Sequence, residues 1–219
     1  MSDTGAWPPP EGLTTKIVPR KDAILQLPYS TVVHAPAPLV FDALLRVADY
    51  PAWNTWIPSA HILTQPSSSD ASADPNDLSR MRNGSTMVFN VIMNADKPTS
   101  ITPTQLRVVD ISTPSSPTSY LTPDMLADPS FTADLSKVYR VSWTGNGGMY
   151  ALGIKLERFH EVIVRGENEC EVRSWEIMGG LMARVVKALY EETLKDKVAL
   201  WCEDLKAYCE KMHAQGTAA

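Results

Sequence analysis

The sequence lacks three features that would each place it in a familiar class of protein. Among its 219 residues, no apolar run approaches the roughly 18 that a membrane-spanning helix needs. Acidic residues outnumber basic ones by 25 to 20, and the net charge of −5 argues against a nucleic-acid-binding surface, which needs clustered lysine and arginine. No basic-then-apolar signal pattern opens the sequence. We therefore predict a cytoplasmic protein with no nucleic-acid partner and no integral membrane segment.

Cysteine is also scarce, at three residues, and an odd number does not form a disulfide framework. Cys202 and Cys209 lie seven residues apart on one predicted helix, a rise of about 10 Å that exceeds the reach of a disulfide. The His-Glu-x-x-His and Cys-x-x-Cys metal motifs, the Gly-x-Ser-x-Gly nucleophile turn and the Walker-type phosphate loop are all absent. We therefore expect buried free thiols, no metal and no cofactor.

Composition along the chain predicts one folded domain with flexible additions. The length suits a single domain with a real core, and all 17 prolines lie in the first part of the chain. We predict an irregular N-terminal arm over residues 1–28, the folded domain over 29–213 and a disordered tail over 214–219. Stretches rich in Pro, Ser, Thr and Asp predict mobile insertions at about 65–83 and 113–136.

The periodicity of apolar residues predicts a strand, two short helices, a run of antiparallel strands and one long helix. That order indicates an α+β fold rather than a parallel α/β sheet. The predicted helices are Leu39–Val47, Asp49–Trp53 and Gly179–His213. The predicted strands are Ser30–His34, Ala60–Thr64, Gly84–Met93, Gln105–Ile111, Val138–Thr144, Ile154–Val164 and Cys170–Met178.

The long helix is the most informative of these elements. Its apolar residues recur at three- and four-residue steps, the period of a helical stripe buried against a sheet. At about 1.5 Å per residue it spans roughly 45–50 Å, long enough to cross a whole sheet. The stripe comprises Met182, Val185, Val186, Leu189, Leu194, Val198, Trp201, Leu205, Tyr208 and Met212. A terminal helix of this kind, held by a sheet, indicates a cavity between the two.

Two groups of residues carry a family resemblance. Ala35–Leu45 and Tyr50–Pro58 are similar to the P-x-x-V-(F/W) helix and the Y-P-x-W-N-x-W-x-P segment of the START-like, or SRPBCC, superfamily. Val141–Trp143, Glu157–Glu161 and Arg173–Glu176 resemble its polyketide-cyclase-like and coenzyme-Q-binding-like branches. The resemblance implies a helix-grip fold, in which a curved antiparallel sheet wraps around a long C-terminal helix and two short helices follow the first strand.

The resemblance also implies a deep, mostly apolar cavity between the sheet and the C-terminal helix. We expect the domain to bind a hydrophobic small molecule of the lipid, quinone, polyketide or terpenoid type, as a monomer or a homodimer. The alternative is a cofactor-free cyclase, dehydratase or isomerase of secondary metabolism that uses the same cavity. A third hypothesis is an interaction module whose insertions bind a protein partner, because fold alone does not assign function.

Strand parity and residue type select the candidate ligand contacts. Trp53 and Trp56 lie three residues apart in a helical turn, so both project to one side. Tyr139 and Trp143 share the inward face of their strand, so Arg140 is expected on the other face, in contact with solvent. If Arg140 faced inward, it would instead anchor an anion or a carbonyl group of the ligand. Core packing is the alternative for Trp53 and Trp56 and for the methionine-containing stripe. The full set of candidate ligand contacts is Trp53, Trp56, Met87, Phe89, Tyr139, Trp143, His160, Trp175, Met182, Val186 and Tyr190.

His160 is the best candidate for acid–base catalysis, because imidazole titrates near neutrality. It shares an alternating set with Leu156 and Arg158 whose apolar ends indicate the cavity side; a hydrogen-bonded structural histidine is the alternative. His34, at the end of the first strand, is a weaker candidate. Glu176 is a candidate general acid if it faces inward, where burial would raise its pKa, and a surface charge if it faces outward.

Overall fold

In a computed structural model that describes residues 6–66, 74, 77–94, 96–97, 99–148 and 153–217, the chain forms a seven-stranded antiparallel sheet in the order β1-β7-β6-β5-β4-β3-β2. The strands are β1 (Ala23–Val33), β2 (Ser59–Thr64), β3 (Thr86–Ile92), β4 (Ile101–Ser112), β5 (Val138–Gly145), β6 (Lys155–Gly166) and β7 (Glu169–Gly179). The helices are α1 (Ala37–Leu45), α2 (Tyr50–Trp53), α3 (Pro123–Leu126) and α4 (Leu181–Thr217), with short 3₁₀ turns at Arg20–Asp22 and Val47–Asp49. The predicted α+β helix-grip architecture is confirmed, because the curved sheet packs its inner face against α4.

The C-terminal half of α4 is the part that the sheet holds. Val198, Trp201, Leu205 and Cys209 are buried there against β1 and α1, as the apolar period predicts. All three cysteines are free and buried. The helix continues to its end at Thr217, so residues 214–216 are helical where the sequence predicts a disordered tail, and residues 218–219 lie outside the described part of the chain.

The first turns of α4 pack much less closely. Only Ala183 is buried between residues 181 and 190, whereas Leu181 and Leu189 are 76% and 65% exposed. The apolar stripe is therefore not buried along these turns, which include the predicted ligand contacts Met182, Val186 and Tyr190. Gly180 connects β7 to α4 with a φ of +89°, and a Cβ at this residue would lie 2.2 Å from the carbonyl oxygen of Gly153.

β1 begins at Ala23, seven residues before the predicted start at Ser30. Leu25 and Leu27 are buried on the inner face and pair with the end of β7, so part of the predicted irregular arm belongs to the sheet. Pro28 does not interrupt the strand, because β1 is an edge strand where a missing N–H can face solvent.

The outer face of the sheet is covered rather than solvated over β6 and β7. Residues 6–22 and the insertion at 113–136 lie over it and form a second hydrophobic cluster with β6 and β7. The cluster consists of Leu13, Val18, Leu121, Phe131, Phe159, Trp175 and Ile177, with Trp7 packed against it. The arm and the insertion also contact each other through an ion pair between Arg20 and Asp128 at 2.9 Å. The predicted mobile insertion at 113–136 is thus a packed part of the fold.

Buried ionisable side chains on this outer face have hydrogen-bond partners. Arg140 donates to Glu161 through Nε at 2.8 Å and Nη2 at 2.6 Å, and its Nη2 also reaches the carbonyl of Thr132. Glu157 accepts hydrogen bonds from the backbone N–H of Ile17 and the hydroxyl of Tyr120, at 2.8 and 2.9 Å. The prediction that Arg140 is solvated is therefore wrong, because the insertion that covers it supplies hydrogen-bond partners.

The predicted insertion at 65–83 is described only in part. Residues 67–73, 75 and 76 lie outside the described residues, so the hypothesis that this insertion binds a protein partner stays a prediction. Within the described remainder, Met81 is buried in the main core and its N–H donates to the carbonyl of Leu45.

Candidate ligand-binding site

A cavity of about 410 Å³ lies between the sheet and the first turns of α4. β3, β4, β6 and β7 supply one wall, and the loosely packed part of the helix supplies the other. Apart from Thr102 and Thr104, its lining is apolar or aromatic and consists of Val91, Met93, Ile154, Leu156, Met178, Met182, Val185, Val186, Tyr190 and Leu194. The exposed apolar turns of α4 therefore border a cavity instead of packing on the sheet.

A deeper chamber of about 110 Å³ adjoins this cavity and differs from it in polarity. Its wall is aromatic at Trp56, Phe89 and Trp143, and it holds two ionisable side chains, Arg158 and Glu176. The two spaces share the lining residues Val91, Met93, Thr104, Leu156, Met178 and Leu194. The site is thus an apolar outer cavity that leads to a small charged chamber.

Strand pairing places the two charged groups side by side. Arg158 of β6 lies directly opposite Glu176 of β7, so both side chains point to the same face of the sheet. They are 2% and 7% exposed, and Nη1 of Arg158 is 3.9 Å from Oε2 of Glu176. Burial raises the pKa of Glu176, and the nearby guanidinium opposes that shift only in part. The carboxyl group is therefore poised to hold a proton at a higher pH than an exposed glutamate.

The guanidinium of Arg158 lies over aromatic rings rather than in a hydrogen-bond network. Its central carbon is 4.9 Å from the ring centroid of Trp201 and 5.1 Å from that of Trp56. Nη2 makes one long contact to the hydroxyl of Ser174 at 3.4 Å, and Nε has no hydrogen-bond partner among the described residues. Burial lowers the pKa of this arginine.

His160 lies on the inner face, as parity predicts, but it lines neither space. Its ring is 4.7 Å from that of Trp143 and stacks on Trp201 at 5.4 Å. Within the described part of the chain, neither ring nitrogen has a hydrogen-bond partner. Burial, and then the charge of Arg158, hold the pKa of His160 well below its ordinary value, so the imidazole is neutral.

Of the other predicted ligand contacts, Trp175 apart, six line one of the two spaces and three line neither. Trp56, Phe89 and Trp143 line the chamber, and Met182, Val186 and Tyr190 line the cavity. Trp53, Met87 and Tyr139 line neither space. Trp53 packs on Tyr50 and Trp201, Met87 is fully buried in the core, and Tyr139 packs on Phe41 at 5.4 Å.

Two predicted site residues lie elsewhere. Trp175 is on the outer face, where it stacks on Phe159 at 5.1 Å and meets Trp7 edge-on at 5.7 Å. Its predicted place at the cavity is wrong, because strand alternation sends Trp175 and Glu176 to opposite faces. His34 is exposed at the end of β1, with Nδ1 3.3 Å from Glu169, and it does not contribute to the site.

Sequence reasoning missed Arg158 and the threonines of β4. Arg158 belongs to the same alternating set as His160, and an arginine inside a mostly apolar inward set was the signal that could have found it. β4 begins at Ile101, whereas the sequence predicts a strand only from Gln105, because Pro103 obscured the pattern. Thr102 and Thr104 therefore lie outside the predicted strand.

Together, the sheet, the helix and the cavity between them define a helix-grip fold of the START type. A START superfamily protein from Mycobacterium smegmatis has a TM-score of 0.54 and 13% identity, with 85% of this chain and 98% of that chain covered. A ginseng (Panax ginseng) major latex-like protein has the same TM-score and identity, with 84% and 96% covered. Likeness at this level of identity establishes the fold alone.

One relative is similar along almost the whole sequence. It is the oxopyrrolidines biosynthesis cluster protein O of Penicillium oxalicum, 28% identical over 204 residues that cover 90% of this chain and 93% of the relative. No protein-family profile matches the sequence. Among the described residues, no helix has the length and apolar character needed to cross a membrane.

Proposed function

We propose that this protein binds a hydrophobic small molecule, of the lipid, quinone, polyketide or terpenoid type, in the cavity between the sheet and α4. The observation that carries the proposal is the 410 Å³ space with its apolar lining, a volume typical of small-molecule sites. Methionines at 93, 178 and 182 suit such a role, because their side chains adapt to ligands of different shape.

The apolar lining sets the scale of the affinity. A ligand that buries about 250 Å² of apolar surface gains roughly 6 kcal/mol at about 25 cal/mol per Å². Part of that gain is lost to the entropy of association, so we expect a dissociation constant weaker than about 40 μM from apolar contact alone. Tighter binding would require polar contacts in the chamber.

A substitution that fills the cavity tests the proposal. Val186 lines the cavity, so Val186→Trp should weaken binding of the neutral fluorescent probe aminoanthracene by at least about tenfold. Ala188→Trp is the matched control, because Ala188 is exposed on the same helix and lines no part of the cavity; it should leave the dissociation constant unchanged. Equal binding by the wild type and Val186→Trp would refute the proposal.

A second candidate function is a cofactor-free cyclase, dehydratase or isomerase of secondary metabolism. The observation that favours it is Glu176, a buried carboxyl of raised pKa on the wall of the chamber, which suits general acid–base catalysis. The Penicillium oxalicum relative, named for an oxopyrrolidine biosynthesis cluster, supports a biosynthetic setting. A ligand held in a water-poor cavity would also be restricted to few conformations, which favours ring closure.

Turnover separates this candidate from simple binding. The wild type would convert candidate polyketide or oxopyrrolidine precursors, with the products followed by mass spectrometry. Glu176→Gln should lower the rate by about 10²-fold or more while aminoanthracene still binds. His160→Phe should retain the rate, because His160 lines neither space. Loss of turnover in His160→Phe alone would assign the proton transfer to the histidine and contradict the role of Glu176.

A further inference from the structure

The sheet holds two buried arginines on opposite faces, and they differ sharply in how their charges are satisfied. Arg140, on the outer face, makes two hydrogen bonds to Glu161 and one to a backbone carbonyl, all between 2.6 and 3.2 Å. Arg158, on the inner face, makes one contact at 3.4 Å to a hydroxyl and lies 3.9 Å from its carboxyl neighbour. Arg140 thus shows how a buried arginine of this chain is satisfied by hydrogen bonds. By comparison, Arg158 has fewer and longer contacts to acceptors.

A buried charge that lacks hydrogen-bond partners destabilises the folded protein unless another group, such as a ligand, supplies those partners. A guanidinium has five N–H donors and is stabilised in a protein interior by planar, two-oxygen acceptors. The rings of Trp56 and Trp201 stabilise the charge of Arg158, but they accept no in-plane hydrogen bond, and Nε has no acceptor among the described residues. Arg158 is therefore a buried cation with an incomplete set of acceptors in the wall of the chamber.

A second unpartnered donor belongs to another residue of the chamber wall. The indole N–H of Trp56 is buried and has no hydrogen-bond acceptor among the residues that the structure describes, and Trp56 lines the chamber with Arg158. Glu176 is the one acidic residue in that lining, and burial raises its pKa, which weakens its ability to serve as a full counter-ion. Among the described residues of this lining, the side-chain groups without partners are the donors of Arg158 and Trp56.

We propose that Arg158 binds a planar oxyanion, a carboxylate or the enolate of a 1,3-dicarbonyl, carried at one end of an otherwise apolar ligand. This inference rests on the proposed binding function and adds the chemical class of the ligand. The oxyanion would occupy the charged chamber, and the apolar body would extend through the shared lining residues into the larger cavity beside α4. The ligand is thus an acidic amphiphile rather than a neutral hydrocarbon-like molecule.

The test compares decanoate with decanol, which share a chain length and differ in the charge of the head group. Titration calorimetry at about pH 8, where a carboxylic acid is ionised, should give decanoate at least about tenfold tighter binding to the wild type. In Arg158→Met, decanoate affinity should fall to that of decanol while decanol affinity stays unchanged. Arg107→Met removes an exposed positive charge from β4 and should keep the wild-type preference.

The outcomes separate this inference from the proposed function. Equal binding of the two compounds to the wild type, or an unchanged preference in Arg158→Met, would overturn the oxyanion assignment and leave apolar ligand binding intact. Failure of both compounds to bind would overturn the two proposals together. Circular dichroism checks the fold, and if Arg158→Met does not fold, Arg158→Lys replaces it. The lysine keeps the charge but lacks the planar fork, so the preference should shrink without vanishing.

Discussion

Replacing His160 by phenylalanine should change how the stability of this protein depends on pH. In the folded chain His160 is fully buried between Trp143 and Trp201, and its pKa lies well below the ordinary value of about 6.5. The unfolded chain therefore binds a proton at His160 as the pH falls below about 6.5, whereas the folded chain does not. By linkage, the wild type loses stability as the pH falls through this range, and the phenylalanine variant lacks that loss.

The size of the effect follows from the unfolded-state pKa. Between pH 8 and about pH 5.5, protonation of one histidine in the unfolded chain alone costs the wild type roughly 1.4 kcal/mol relative to His160→Phe. For a domain of this length that difference corresponds to a relative shift in Tm of roughly 3–6 °C. The absolute stability of the variant also depends on how the larger ring packs and on the removal of two unpartnered nitrogens, but those contributions are the same at both pH values.

The assay is urea unfolding of the wild type and His160→Phe at pH 8 and about pH 5.5. Burial raises the pKa of Glu157, Glu176 and Asp110, and these carboxyls favour the folded state as the pH falls, but they are present in both proteins and cancel in the difference. If the difference in free energy of unfolding between the wild type and His160→Phe does not change with pH, the account of a neutral, desolvated imidazole is refuted.

Two further substitutions test the outer face of the sheet. Trp175→Ala should lower the free energy of unfolding by about 3–5 kcal/mol in urea titrations, because the indole packs on Phe159 and Phe131, yet aminoanthracene affinity should stay at the wild-type value. A large loss of affinity at unchanged fold would show that Trp175 reaches the ligand. Arg140→Met leaves Glu161 buried without its counter-ion and should cost about 3–5 kcal/mol by the same measurement, and a cost below about 1 kcal/mol would contradict the pairing.

Much of the fold could be predicted because each element carries its own period. The stripe at Val198, Trp201 and Leu205 specifies the packed part of α4, and alternation at Met87 and Phe89 specifies β3. The exposure of the first turns of α4 could not be read in the same way. An apolar residue beside a cavity has the same chemistry as one beside a packed sheet, so Met182 gives the same signal in either setting.

The sequence indicates less clearly which face of β7 borders the cavity, because both faces of that strand are covered. Alternation separates Trp175 from Glu176 correctly, yet it assigns neither of them to the inside. An aromatic residue usually marks the inner face, but here residues 6–22 and 113–136 give Trp175 an apolar environment on the outer face. Both segments are rich in residues that form loops, and their coverage of the sheet depends on contacts far apart in sequence, such as that between Arg20 and Asp128.

The pairing of Arg158 with Glu176 depends on one extra residue in the hairpin between β6 and β7. Gly166 lies opposite Glu169, but Val164 lies opposite Cys170, so Arg165 is a bulge on β6. Without the bulge the register would place Arg158 opposite Ile177, and Glu176 would point to the outer face, because a one-residue slip exchanges the faces of a strand. The charged chamber therefore depends on the geometry of a hairpin that lies at a distance from the cavity. A sequence pattern that predicts only the turn does not determine which residues of β7 face the site.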